Sequence, residues 1–207
     1  MSTLMIQGGQ RLEGRITVEG NKNAALPLMA ACLLTDQACV LTNVPRIRDV
    51  DVMAALLADL GADVDGVGSS TLGICCRTIT KDEPDAALVG RLRGSVLLLG
   101  PLLARRRRAC LAAPGGDFPT RRTLSTHVQA LTAMGARPAE GAGLTLDAQD
   151  GLRPVSIYLE EASVTGTETA LLAAAAAPGV TQLRHAAREP HGVENLESLG
   201  ARVARVT

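Results

Sequence analysis

"VDVMAALLADLGA", Val50 to Ala62, is the stretch whose reading decides the fold. Its apolar residues Val50, Met53, Leu57 and Leu60 recur three or four positions apart, which is the spacing of one helix face. Gly61 ends the pattern, and a glycine placed there suits a left-handed helix C-cap. The same grammar returns twice. Leu124, Val128, Leu131 and Met134 lead to Gly135-Ala136, and Val193, Leu196 and Leu199 lead to Gly200-Ala201. Self-similarity of this kind marks a repeat architecture. A short strand is expected after each glycine.

A second helix precedes each of these. "NAALPLMAACLL" (Asn23 to Leu34), "GSVLLLGPLLA" (Gly94 to Ala104) and "GTETALLAAAAA" (Gly166 to Ala177) are apolar on nearly every face. Such helices sit inside a domain, packed on all sides. Strand-like segments follow them: "ACVLTNV", "ACLAAPG" and "TQLRHAA". Each unit therefore reads β-α-β-α-β, and the whole is an α/β fold of three units with buried helices. The buried helices begin at Lys22-Asn23, Arg93-Gly94 and Thr165-Gly166. Related by near-threefold symmetry, their N-termini point the same way. Each carries about half a positive charge and free N–H donors, and Lys22 and Arg93 add full charges. The expected product is an anion site.

Composition narrows the function. The 207 residues suffice for one large domain or two small ones, and at 46% hydrophobic they can bury a core. There is one Phe (Phe118), one Tyr (Tyr158) and no Trp, so base-stacking platforms are nearly excluded. Lys+Arg and Asp+Glu both number 21, which leaves no global field toward DNA or membrane. Five cysteines (Cys32, Cys39, Cys75, Cys76, Cys110) form no C-x-x-C pair and no zinc spacing. They read as small buried hydrophobes of a reducing cytosol. "MSTLMIQGGQ" lacks a signal-peptide pattern, and no apolar run reaches the ~18 residues of a membrane span. The expectation is a soluble, cytoplasmic protein. "RRRR" (Arg105 to Arg108) is expected to be a solvated turn, and His127 a helix-surface or capping residue.

Six segments in order carry a family resemblance: "GNKNAALPLMAACLL", "NVPRIRDVDVMAALLADLGADV", "RGSVLLLGPLLAR", "PGG", "ASVTGTETALLAAA" and "AAREP". From Met5 to about Val203 the chain resembles the UDP-N-acetylglucosamine 1-carboxyvinyltransferase family of enolpyruvyl transferases. The resemblance implies one lobe of the EPSP synthase-like fold. Residues 1–21 match strands that belong to the second lobe. Residues 22–207 match a lobe of three repeats, about 22–80, 81–150 and 151–207, the last incomplete. It further implies transfer of enolpyruvyl from phosphoenolpyruvate to the 3-hydroxyl of UDP-N-acetylglucosamine, the first committed step of peptidoglycan synthesis. No metal or organic cofactor is implied. The partners are the two substrates and a separate second-lobe chain, with neither nucleic acid nor membrane. The alternative is a catalytically inactive lobe that binds a phosphorylated ligand or a partner.

Residue by residue, the resemblance implies that Lys22 and Asn23 contact phosphoenolpyruvate. It puts Arg93 at the substrate site and Arg122 on phosphoenolpyruvate. Ser163 and Val164 match a stretch that contacts the uridine diphosphate. Asp117, in "PGGD", stands where most members have a cysteine that protonates the enolpyruvyl group. An aspartate has a reference pKa of ~3.9 against ~8.5 for cysteine. Arg121 and Arg122 favour its charged form, and bound phosphoenolpyruvate opposes them. Asp117 is thus expected to act as an acid only when substrate is bound. Thr123 and Ser125 replace the family's proline and aspartate, and the last helix is about three residues shorter, most of one turn.

Overall fold

The computed structural model describes residues 3–9, 11, 13–115, 123–188, 190–198 and 200–204. The first unit opens with α1 (Lys22–Ala31), capped by the Asn21 side chain, which accepts from the Asn23 amide. A 3-10 turn (Cys32–Leu34) leads to β1 (Ala38–Thr42), α2 (Arg48–Asp59), β2 (Asp63–Asp65) and β3 (Thr71–Cys75). The second unit has α3 (Ala86–Val89), then a 3-10 segment (Arg93–Leu98) that runs directly into α4 (Leu99–Arg106). After it come β4 (Arg108–Leu111), α5 (Ser125–Ala133), β5 (Arg137–Pro138) and β6 (Leu144–Asp147). The third comprises β7 (Ser156–Tyr158), α6 (Val164–Ala176), β8 (Gln182–Arg184) and α7 (Pro190–Ser198).

The first two sheets share one topology. Their orders are β1-β3-β2 and β4-β6-β5, both antiparallel, so the last strand of each unit lies in the middle. The third is a parallel pair, β7 with β8. An opening strand before the buried helix was expected in every unit; among the described residues only β7 is one. Residues 13–21 form no strand, and Leu4, Met5, Ile6, Ile16 and Val18 are exposed. In the second unit, Pro84 cannot donate to a ladder, and the chain turns into α3 instead. A single backbone bond from the Cys110 amide to the Asp82 carbonyl, 2.9 Å, marks the strand's place.

The three glycine signals are met by one geometry. Gly61, Gly135 and Gly200 have φ of +106°, +101° and +93°. In each case the glycine amide bonds a carbonyl three residues back and the following alanine bonds one five back: Ala62 to Leu57, Ala136 to Leu131, Ala201 to Leu196. This is the Schellman arrangement, and only glycine enters it without a Cβ penalty. A strand follows the first two caps.

The core is aliphatic. Met29, Leu33, Met53, Leu57, Leu98 and Leu102 are among its fully buried side chains. α1, α4 and α6 bury most of their surface, as helices without a polar face must. The arginine run departs from the expected solvated turn. Arg105 and Arg106 end α4, Arg107 takes the left-handed cap at φ +63°, and Arg108 enters β4. The Arg105 guanidinium donates to four carbonyls, those of Leu33, Thr35, Cys76 and Arg77, at 2.9, 3.1, 3.0 and 3.3 Å. The carbonyls come from two loop ends that no ladder satisfies, and the fork of donors closes both at once. Arg108 pairs with Asp147 at 3.0 Å and with Asp82 at 3.6 Å. Only Arg106 and Arg107 are exposed.

Removing the Arg105 fork orphans several carbonyls together. Arg105→Ala is expected to cost about 3 kcal/mol of stability. Arg106→Ala should stay within about 0.5 kcal/mol. Urea unfolding of the two variants checks this, and equal costs would contradict it.

Candidate functional site

Lys22 is the first residue of α1. Its ammonium lies 2.5 Å from the Asp49 carboxylate, and half of its side chain remains exposed. Asp49 stands in the first turn of α2, where an acid already favours the helix dipole. Both groups of the pair are therefore held at helix N-termini. Asn23 follows Lys22, with its amide 2.8 Å from Asn21 Oδ1. Pro27 within α1 has no N–H, so the Asn23 carbonyl receives no helical bond from the residue four ahead.

Arg93 opens the 3-10 segment ahead of α4 and is half-buried. Gly94 beside it packs against α1, because a Cβ there would lie 2.9 Å from Leu26 Cδ1. The start of the second buried helix is thereby pressed onto the first. The residues ahead of Asp117 run against the end of α3. The Gly115 amide donates to the Val89 carbonyl at 3.1 Å. A Cβ on Gly115 would overlap the Gly90 carbonyl oxygen, at 1.5 Å. Asp117 and Arg122 themselves lie outside the described residues.

Ser163 caps α6, and its hydroxyl accepts from the Gly166 amide at 3.2 Å. Val164 is the first helical residue, and Ser163, Val164 and Thr165 are half-buried. Gly166 packs against α5, where a Cβ would come within 2.9 Å of Thr126 Cγ2.

His127 departs from the expected surface or capping residue. It is 1% exposed, and its Nε2 lies 3.0 Å from Thr165 Oγ1. Burial first, and then the charge of Arg93, push the imidazole pKa down to about 4. The ring is therefore neutral at neutral pH and bridges two predicted site regions. It feels Arg93 on one side and bonds the α6 N-terminus on the other. His127 lies three residues after Leu124 and four before Leu131, on the same helix face, and this is the signal that it faces inward.

The structure thus brings Arg93 to the α6 N-terminus through His127, and α1 to the Arg93 corner through Gly94. Sequence reading missed Asp49 and His127 as members of this region, while it placed Thr165 at the start of the third buried helix. Among the described residues no group of three His, Cys, Asp or Glu is arranged to hold a metal ion. No described helix is long and apolar enough to cross a membrane.

Three kinds of relative resemble the chain. The family model for EPSP synthase (3-phosphoshikimate 1-carboxyvinyltransferase) matches residues 6–206. A UDP-N-acetylglucosamine 1-carboxyvinyltransferase of Bradyrhizobium diazoefficiens is 45% identical over 96% of this chain and 47% of its own length. One of Borreliella burgdorferi is 40% identical over 98% of this chain and 48% of its own. The enolpyruvyl transferase NikO from Streptomyces tendae superposes with a TM-score of 0.80 at 26% identity, over 95% of this chain and 47% of that one. EPSP synthase of Acinetobacter baumannii shares the fold, with a TM-score of 0.75 at 18% identity, over 93% of this chain and 45% of that one. The chain spans about half the length of these relatives.

The buried imidazole sets a pH dependence. Unfolded, His127 titrates near 6.5; folded, at about 4. Between these values the unfolded chain binds more protons, so stability rises with pH. The contribution is complete above about pH 6.5 and is lost as pH falls toward 4. Urea unfolding at pH 7 and pH 4.5 is expected to differ by about 2–3 kcal/mol from this group alone. His127→Gln should lack that share, and identical pH responses of the two proteins would contradict the assignment.

Proposed function

The chain belongs to the EPSP synthase family, and we propose that it is the half of an enolpyruvyl transferase that receives phosphoenolpyruvate and UDP-N-acetylglucosamine. The reaction is transfer of enolpyruvyl to the 3-hydroxyl of the sugar with release of phosphate, the first committed step of peptidoglycan synthesis. The observation that supports this reading is that buried His127 joins the α6 N-terminus to Arg93, while Gly94 beside Arg93 packs onto α1, the helix that Lys22 opens.

Phosphoenolpyruvate brings a phosphate and a carboxylate. Lys22 supplies a compact positive charge at the end of α1, next to the Asn23 side chain. Arg93 and Arg122 supply planar forks that bind either anion bidentately. Ser163 and Val164 open α6, whose dipole and N–H groups suit a diphosphate. Asp117 is the acid. Protonating the terminal carbon of the enol ether makes its neighbour electrophilic toward the sugar hydroxyl, and expulsion of phosphate follows. Burial first, and then the charge of Arg93, keep His127 uncharged at neutral pH. Residues 1–21 are read as strands for the second lobe and residues 22–207 as the three-repeat lobe. The second lobe supplies the base for the sugar hydroxyl and comes from a separate chain or segment.

The second reading is a lobe that binds phosphorylated ligand without turnover. It is favoured by the half-length match alone. Purified chain with both substrates is expected to release no phosphate above background. Adding the second half of a relative should produce turnover that Lys22→Ala lowers at least 100-fold. Turnover by the chain alone, or reconstituted turnover indifferent to Lys22, would contradict the proposal. Turnover that stays absent after reconstitution would favour the second reading.

A further inference from the structure

The three units differ in what lies beside the strand that follows their buried helix. In the third, β7 runs parallel to β8, and Ile157 and Leu183 pack against the same small core. In the second, the chain at Asp82 takes that place through its bond to the Cys110 amide, and Ala109, Cys110 and Leu111 of β4 are buried. In the first, among the described residues, β1 pairs only with β3, and its other edge carries no strand. The vacancy shows in exposure. Leu72 and Ile74 of β3 are fully buried, while Leu41 and Cys39 opposite them on β1 are half-exposed. An open edge of this kind is a template for another strand.

The chain also holds a strand-like segment without a sheet. Residues 14–19 alternate, with Ile16 and Val18 on one face and Arg15, Thr17 and Glu19 on the other, and all of them are exposed. They lead into α1 as β7 leads into α6. Asn43 and His185, which follow β1 and β8, both take left-handed backbone, at φ +55° and +57°, so the two strands end alike. Ile16 and Val18 match Ile157 and Leu159, the last two inward residues before the third buried helix. With those matches the β7–β8 register places Arg15 beside Val40, Ile16 beside Leu41 and Thr17 beside Thr42. Ile16 and Leu41 then share the inward face. The segment does not take this place on its own β1. Gly20 is pressed on the end of that strand, where a Cβ would overlap the Asn43 carbonyl oxygen, at 1.8 Å. Residues 19–21 alone separate Val18 from α1, one fewer than lie between Leu159 and α6. A short, crowded hinge favours exchange between copies over folding back.

We infer that the chain forms a two-fold dimer by strand exchange, with residues 14–18 of each copy lying parallel to β1 of the other. Each copy offers one surplus strand and one vacant edge, so a single two-fold rotation satisfies both. The segment carries enough apolar surface to hold the pair. Leu4, Met5, Ile6, Ile16 and Val18 are between 84% and 96% exposed. At roughly 100 Å² each, the donated segments of the two copies withdraw about 1,000 Å² from water before the acceptor surface is counted, and stable interfaces total about 1,200–2,000 Å². A second copy, itself a three-repeat lobe, takes the place that the reading above gives to a second lobe. The pairing needs no substrate and forms with or without turnover.

The test is the mass of the purified full chain by light scattering across a micromolar concentration series, with hydrogen exchange of the β1 amides measured alongside. The expected particle has twice the mass of the chain, and the amides of residues 38–42 are protected in it. Ile16→Asp combined with Val18→Asp should give a monomer and lose that protection. Both side chains are exposed within one copy, so this variant should keep the circular dichroism of the unaltered chain. Val180→Asp charges a similarly exposed position elsewhere and should remain dimeric. A chain that is monomeric throughout the series would overturn the inference, whether its β1 amides exchange freely or are covered by its own segment. A dimer that survives substitution of Ile16 and Val18, or one that Val180→Asp dissolves, would overturn it as well.

Discussion

The close approach of three apolar helices is the constraint on which the rest of this structure depends. Leu26 of α1 occupies the space a side chain on residue 94 would need, and Gly100 of α4 lies against the Thr169 carbonyl of α6. Gly166 is pressed on Thr126 of α5. In each case a Cβ would stand 2.9 Å from its nearest neighbour, closer than real packing allows. Aliphatic side chains fill the remaining space at interior density. Helices packed this tightly cannot turn their ends outward independently. The contacts press the Arg93 corner onto α1, which Lys22 opens, and His127 joins that corner to the α6 N-terminus, so partial positive charges and the Lys22 and Arg93 side chains accumulate at these helix ends.

That accumulation is unfavourable unless something offsets it, and the structure shows two devices. Asp49 faces Lys22 across the ends of α1 and α2. His127, buried between Arg93 and Thr165, stays uncharged and adds no further cation. An anion entering this region would meet positive charge already fixed in place, so little reorganisation is needed on binding. The partly exposed Lys22–Asp49 pair is worth little to stability itself. Its effect is to orient Lys22.

The fold was legible where local chemistry decides it. The three glycines announced left-handed caps, and all three have them. The all-round apolar runs announced buried helices, and α1, α4 and α6 are buried. Reading failed where long-range contacts decide. Four adjacent arginines look solvated, yet Arg105 reaches carbonyls about 30 to 70 residues away in sequence. His127 looks peripheral until α6 packs over it. The expected opening strands exist as ladders only where a partner strand lies alongside, as β7 has β8.

The central claim is that the three helix ends act as one anion site. Titration of the labelled chain with phosphoenolpyruvate, followed by backbone amide chemical shifts, tests it most directly. The account predicts that the amides of residues 22–24, 93–95 and 164–166 shift together along one saturation curve, and that added salt weakens the binding. Shifts confined to a single helix end, or separate saturation curves for the three, would contradict it.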